Sequence, residues 1–260
     1  MKRTIKIVTF NIRCVWKGGD GKNNFIHRAG MVYEKILNEQ PDVILFQEVR
    51  QEHLKLLERM LPEYMFIGHF REEDYSGEGL YTAILKEKIQ LIGFEGYWLS
   101  PTPYAAGSRF EKQSGIPRIC ITLKLRDKVT NNVFRAVNVH LDHISDEARI
   151  EGIRLVLETV CERNSEDNIP TLIAGDFNAE PESDTISFCK NYNRFNIYDT
   201  TSEIKTTFHG WGREDEKIDY IFVTESIKNS VKSVYIWDDC DDGIYLSDHY
   251  PICLEFDAEN

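Results

Sequence analysis

Thr171-Leu-Ile-Ala-Gly-Asp-Phe-Asn178 is an apolar run that ends on a small residue and then sets a carboxylate and a carboxamide two positions apart. Near the C-terminus, Leu246-Ser-Asp-His249 places a carboxylate beside an imidazole, just ahead of Pro251 and another apolar run. Acid, base and amide groups at strand ends are what hydrolysis of a phosphate ester on a metal ion requires. Asn11, Glu48 and His140, like Asp176, each follow an apolar, strand-like run directly or within two residues. Strand ends present functional side chains on rigid supports.

If Glu48, Asp176, Asp219 and Asp248 converge, each close carboxylate pair repels by about 4 kcal/mol at ~4 Å and an effective dielectric near ~20. Such a cluster needs a cation or shared protons. The chain has no C-x-x-C array and no H-E-x-x-H helix, which argues against zinc. Oxygen-rich donors favour a hard ion, Mg²⁺ or Mn²⁺. Taken singly, these residues have ordinary readings: an Asp after Gly is often a turn or cap residue, and Asn11 could simply form a turn. Asp219, between Ile218 and Tyr220, would be a buried acid in need of a partner.

The elements that must position these groups alternate between strands and helices, as in a single α/β unit over residues 1–260. Residues 4–10 read as a strand delivering Asn11. Tyr33, Ile36 and Leu37 fit a helix face ended by Pro41, and Val43–Phe46 is a buried strand delivering Glu48. Val133, Arg135, Val137 and Val139 share one strand face, with Asn138 and His140 on the other. Ser145, Asp146 and Glu147 start a helix whose buried stripe is Ile153, Val156, Leu157 and Val160. Later strands run over 218–223, 231–236 and 252–256. The loop-rich stretches are 13–27, 70–80, 100–117 and 201–217.

Lys and Arg number 31 against 43 Asp and Glu, a formal net charge of -12, which argues against holding nucleic acid through a basic surface. It leaves a nuclease open, because a bound ion can carry the positive charge. The six cysteines are widely spaced, as expected for reduced thiols in a cytoplasmic protein. The basic start lacks the apolar stretch of a signal peptide, and no run approaches ~20 apolar residues, so no membrane span is expected. No obligate protein partner is evident.

Thr9-Phe-Asn-Ile12, Phe46-Gln-Glu-Val49, Val139-His-Leu-Asp142, Ile173-Ala-Gly-Asp-Phe-Asn178, Lys217-Ile-Asp-Tyr-Ile-Phe222 and Leu246-Ser-Asp-His249 occur in an order that resembles the endonuclease/exonuclease/phosphatase (DNase I-like) superfamily. The blocks span essentially the whole chain. Trp98-Leu-Ser100 and His140-Leu-Asp-His143 look closest to compact bacterial members near the deadenylase-like branch. The resemblance implies a four-layer α/β/β/α sandwich of two mostly antiparallel sheets with helices outside. It implies Glu48 as principal metal ligand, with Asn11 and Asp248 completing or supporting the shell. Asp176 would orient and deprotonate the attacking water, and Asn178 would hold a phosphate oxygen or the nucleophile. His249, oriented by Asp219, would contact the phosphoryl oxygen, with His140 as a second imidazole on the phosphate.

Asp142 could orient His140, whereas His143 reads as structural or peripheral. Arg118 could grip a phosphate or sit in a structural ion pair, and Arg13 and Arg28 are weaker candidates of the same kind. Tyr104, His209 and Trp211 lie in loops where a base, sugar or lipid could rest. The expected activity is metal-dependent hydrolysis of a phosphate ester, foremost a nucleic acid or nucleotide-like diester. The 13–27 loop, with Lys17, Lys22 and Arg28, is the best candidate for contacting a polyanion. The rivals are a phosphatase or phospholipase-type enzyme acting on a sugar-phosphate, inositol-phosphate or lipid head group, and an inactive phosphate-binding scaffold.

Overall fold

The computed structural model describes residues 3–258. In chain order the elements are β1 (Thr4–Asn11), α1 (Phe25–Glu39), β2 (Val43–Val49), α2 (Gln51–Met60), β3 (Tyr64–Phe70), β4 (Gly79–Leu85), β5 (Ile89–Trp98), β6 (Ile119–Asp127) and β7 (Val133–His140). They continue with α3 (Asp146–Asp167), β8 (Thr171–Asp176), α4 (Asp184–Lys190), β9 (Ile197–Asp199), β10 (Asp219–Thr224), α5 (Glu225–Lys228) and β11 (Val231–Ile236). A short hairpin, β12 (Cys240–Asp241) with β13 (Ile244–Tyr245), precedes β14 (Ile252–Asp257).

Two six-stranded sheets result, in the orders β11-β14-β1-β2-β4-β3 and β5-β6-β7-β8-β10-β9. Each is antiparallel apart from a single parallel pair, β1 with β2 and β7 with β8. The inner faces meet in a core that includes Ile7, Leu45, Ile121, Ala136, Leu172 and Leu254. The outer face of the first sheet, through Val8, Phe10, Ile44 and Phe46, packs on Phe25, Val32 and Ile36 of α1 and Leu57 of α2. The outer face of the second, through Val137, Val139 and Ile173, packs on Ile153, Val156 and Leu157 of α3 and Ile186 of α4. This is the four-layer sandwich, and it explains why the central strands are apolar at consecutive positions: both faces are buried.

Local chemistry accounts for the element ends. Ser145 caps α3 by accepting a hydrogen bond from the Ala148 amide, with Asp146 and Glu147 in the first turn. α1 ends on Gln40 in the left-handed conformation, its N–H bonded to the Ile36 carbonyl, one residue before Pro41. Leu37, expected on the buried face of α1, is exposed; the stripe runs instead through Phe25, Ala29, Val32 and Ile36. Strands β3, β4 and β6 carry none of the motif blocks, and glycine disguises β3. At Gly68 a Cβ would lie 2.0 Å from the Leu80 carbonyl oxygen across the ladder, so the residue is a close strand contact and not a turn.

The 13–27 segment is fastened to the body of the protein. Arg28 is fully buried and donates to the Asn23 carbonyl at 2.7 Å, to the Ile12 carbonyl at 2.7 Å and to the Leu246 carbonyl. It therefore ties loop, strand end and the Leu246-Ser-Asp-His249 turn together, and is unavailable to a substrate. Lys22 donates to the Asp242 carbonyl, and the Asn23 side chain bonds both Gly243 and Tyr245 of the hairpin. Among the described residues, no helix is long and apolar enough to cross a membrane.

Two substitutions test this framework. At Gly175, in β8, φ is +148° and a Cβ would lie 1.9 Å from the Val139 carbonyl oxygen of β7. Gly175→Ala should cost about 2–4 kcal/mol in denaturant unfolding by forcing the parallel pair apart; a loss under ~0.5 kcal/mol would show that the strands can separate freely. Arg28→Met keeps the bulk but strips donors from four carbonyls, those of Asn23, Leu246, Ile12 and Arg13. A loss of ~3 kcal/mol is expected, with faster amide exchange in residues 12–24. Wild-type stability in that variant would contradict the fastening role.

Candidate active site

The parallel pairs set the geometry. Because β1 runs with β2 and β7 with β8, the C-terminal ends carrying Asn11, Glu48, His140 and Asp176 all emerge at one end of the sandwich. His140 sits directly across the ladder from Asp176, and Asp219, at the start of antiparallel β10, is the other ladder neighbour of Asp176. Asp248 and His249 arrive at the same end just before β14. Glu48 lies within an irregularity of the β2–β4 ladder, between Phe46 and Val49, and has φ +59°; Arg13 at +63° and Asn178 at +48° share this left-handed conformation. Non-glycine residues held there mark places where the surroundings dictate backbone shape.

Asp176 is the hub. One carboxylate oxygen accepts the Asn178 amide at 2.8 Å, and the other accepts the Asn11 side-chain amide at 2.9 Å. On that second oxygen, His140 Nε2 stands at 3.4 Å and His249 Nε2 at 3.9 Å. Burial, and next the Asp219 carboxylate, push the Asp176 pKa up to about 7, against the opposing pull of His249. For His249 burial works to lower the pKa, but Asp219, accepting from Nδ1 at 2.8 Å, together with Asp176 and Asp248, raises it to about 10. His140 goes the other way: burial and the Arg118 and Arg71 charges hold it well below the usual imidazole range. The site thus pairs a cationic imidazole with a neutral one on either side of a carboxylate whose pKa lies near neutrality.

Glu48 lies beside this hub. Its carboxylate accepts the Cys14 amide at 2.8 Å and the Asn11 amide at 3.2 Å. Burial acts to raise its pKa, but the His249 charge and the Cys14 N–H outweigh it, leaving it below the usual range. Asp248 is raised by burial and by Glu48, and its Oδ2 lies 3.4 Å from Arg13 Nε. Asn11 directs its nitrogen at Glu48 and Asp176, while its oxygen accepts the Arg13 amide at 3.0 Å. In this orientation its nitrogen steadies the two carboxylates. Glu48, His140 and Asp176 present donor atoms within 4.8 Å of one another. Carboxylates crowded until two of them hold protons more tightly are a donor set that fits a hard divalent cation.

The cleft above these groups encloses about 320 Å³ and is also lined by Arg13, Arg71, Glu78, Arg118, His143 and Asn178. Asn178 anchors its side-chain amide on the Leu141 carbonyl at 3.1 Å. Arg118 is buried; its Nη2 donates to His143 Nδ1 at 3.0 Å, which makes His143 part of the cleft and not peripheral. Asp142 does not orient His140. It accepts from Ser114 and from the Ile144 and Ser145 amides, bracing the loop into α3.

Tyr104 is 73% exposed, donates to Glu95 and lies outside the cleft lining. Trp211 also lies outside it, packed on His209 and Tyr245 with the Arg28 guanidinium 5.4 Å from its ring centre. His209 is buried and stacks on Tyr250 at 4.1 Å, a packing role. Arg71 and Glu78 are the lining residues that motif reading misses. Arg71 directly follows β3, so the strand-end criterion that found Asn11 would have found it had β3 been read as a strand.

Residues 8–249 match the Endonuclease/Exonuclease/phosphatase family. A solved endonuclease/exonuclease/phosphatase from Bacteroides vulgatus is 31% identical and superimposes with a TM-score of 0.91, covering 99% of this chain and 100% of that one. A mannosyl-6-phosphatase from Bacteroides thetaiotaomicron shares the fold at 24% identity and TM-score 0.84, over 96% of this chain and 98% of that one. The human Nocturnin catalytic domain does so at 19% identity and TM-score 0.75, over 98% and 95%. With its motif blocks gathered at one end of the sandwich, the chain belongs to the Endonuclease/Exonuclease/phosphatase family, whose members are hydrolases acting on phosphate esters.

Proposed function

We propose that this protein is a divalent-metal-dependent phosphoesterase acting on a small, polar phosphate ester. The observation that carries the reading is the convergence of Glu48, Asp176, Asp248, His140 and His249 in a cleft of about 320 Å³. That volume is at the small end of the ~300–1,000 Å³ that ligand pockets occupy. An extended polyanion is served less well. The net charge is -12, Lys22 is spent on a backbone carbonyl and Arg28 is buried in the fold. The similarity to a mannosyl-6-phosphatase supports a phosphorylated sugar among the candidates.

Glu48 and Asp248 would hold Mg²⁺ or Mn²⁺, with Asn11 keeping the carboxylates in place. The ion, when bound, would polarise a phosphoryl oxygen and offset developing negative charge. Asp176, with its pKa near 7, is suited to orient the attacking water and accept its proton. His249, kept cationic by Asp219, would donate to a phosphoryl oxygen as charge builds there. His140, neutral, would add a second donor to the phosphate. Asn178 would orient the water or a phosphate oxygen through its amide. Attack is in line, with no covalent enzyme intermediate.

Two outcomes are expected in a screen of sugar phosphates, nucleotides, oligonucleotides and phospholipid head groups. EDTA should abolish turnover and excess Mg²⁺ or Mn²⁺ restore it; full activity in chelator would remove the metal from the mechanism. Asp176→Asn should lower kcat by ~10²–10⁴ with the thermal transition retained, because a carboxamide fits the space but accepts no proton. An unchanged kcat would exclude Asp176 as the base.

A further inference from the structure

Arg118 and Arg71 enter the cleft from loops beside different strands, and the fold buries both. Arg118 immediately precedes β6 and Arg71 immediately follows β3. They line a recess shared with Glu48, Glu78 and His140, next to the residues proposed to carry the chemistry. Arg71 is held in place from several directions. Its Nη1 pairs with Glu78 at 2.6 Å, its carbonyl accepts the Trp98 indole N–H at 2.6 Å, and His69 and Tyr75 pack on the Trp98 ring.

Arg71 leaves one buried donor, Nε, without a hydrogen-bond partner, and Arg118 leaves two. Its Nη2 is used on His143, but Nε and Nη1 are buried with no hydrogen-bond partner. A guanidinium buried with two donors idle, beside a second guanidinium, is costly unless an anion completes it. Burial and the Arg71 charge both act to weaken the hold of Arg118 on its proton. Arginine donors in a planar fork match the oxygens of a phosphate.

On the phosphoesterase reading, His249, His140 and Asn178 serve the reacting phosphoryl group, and His140 also borders the recess that Arg118 and Arg71 line. The bridging ester oxygen and two further oxygens are common to monoesters and diesters. A monoester has one more terminal oxygen and, near neutral pH, a second negative charge. We infer that Arg118, backed by Arg71, forms a subsite for that extra terminal oxygen and charge, so that the enzyme selects phosphomonoesters over phosphodiesters. This rests on the phosphoesterase reading and narrows its substrate class. Arg118 is the direct donor. Arg71 is a positioning residue: it supplies the second positive charge and keeps Arg118 facing the cleft.

The test uses non-hydrolysable probes, phenylphosphonate as the dianion and its monomethyl ester as the monoanion, titrated calorimetrically at pH 8 with and without Mg²⁺. Wild type should bind the dianion at least ~10-fold tighter, and Arg118→Met should reduce the preference to under ~3-fold. Arg71→Met should lose part of it and Arg71→Lys recover most. In Arg118→Met, hydrolysis of p-nitrophenyl phosphate should fall chiefly through KM, and by a larger factor than hydrolysis of bis(p-nitrophenyl) phosphate.

Because Nε and Nη1 of Arg118 are idle and only Nη2 is bonded, Arg118→Met should melt within about 2 °C of wild type, whereas an arginine with a mainly structural role would lower Tm further. Equal binding of the two probes by wild type, a preference retained in Arg118→Met, or unfolding of that variant would each overturn the subsite. Dianion preference without hydrolysis of any ester would uphold the subsite and sink the phosphoesterase reading.

Discussion

The Asp176 carboxylate accepts from Asn11 of one sheet and Asn178 beyond the other, while Asp219 and Glu48 press negative charge on it from either side. At an effective dielectric near ~20, each such pair at ~4 Å repels by about 4 kcal/mol, which is a large part of the ~5–15 kcal/mol that stabilises a whole domain. Holding these groups together therefore requires compensation within the fold. His249 supplies a cation, Arg13 another, and the backbone amides of Cys14 and Asn178 supply oriented dipoles. Even so, Asp176 and Asp248 keep raised pKa values, so the side chains alone leave negative charge in surplus.

That constraint explains why the site sits where two sheets meet. A single sheet presents alternate residues to opposite faces and could not surround a carboxylate with donors. Two parallel strand pairs, one in each sheet, send four chain ends to the same edge. A buried polar bridge beneath the site keeps the sheets in register. Gln47 donates to Asn138 at 2.8 Å, and Asn138 donates to the Phe46 carbonyl at 3.0 Å, where the β2–β4 ladder shifts register next to Glu48. A polar pair of this kind, fully buried between apolar faces, fixes relative position in a way that interchangeable aliphatic contacts do not.

Much of this was legible in the sequence because chemistry limits which residues can stand at the strand ends. Asn11, Glu48, His140, Asp176, Asp219 and His249 lie beside apolar runs, and both the runs and the polar tips are visible without coordinates. Roles that depend on orientation were not visible. Asn11 turns its nitrogen inward, Asp142 braces Ser114 and the start of α3 instead of His140, and Arg28 is a fastening inside the fold. A side chain's type names the bonds it can make, while its backbone dihedrals and neighbours decide which bond forms. The β3–β6 region was opaque for a related reason: its glycines answer to close strand contacts that only the partner strand reveals.

The division of labour within the cleft follows the same line. Groups proposed for bond breaking stand on β2, β7, β8, β10 and the β14 entry, where motif and core packing constrain each other. Arg71, Glu78 and Arg118 stand on loops between strands nearer the sheet edges, where packing demands less of sequence. Yet the Arg71 loop is not slack: Trp98 donates to its carbonyl, and Tyr75 and His69 close around the indole. A loop immobilised by an aromatic cluster presents its guanidinium without further ordering cost when an anion arrives. Substrate choice can thus change by exchanging edge residues while the buried carboxylate cluster stays intact, because the two are supported by different parts of the sandwich.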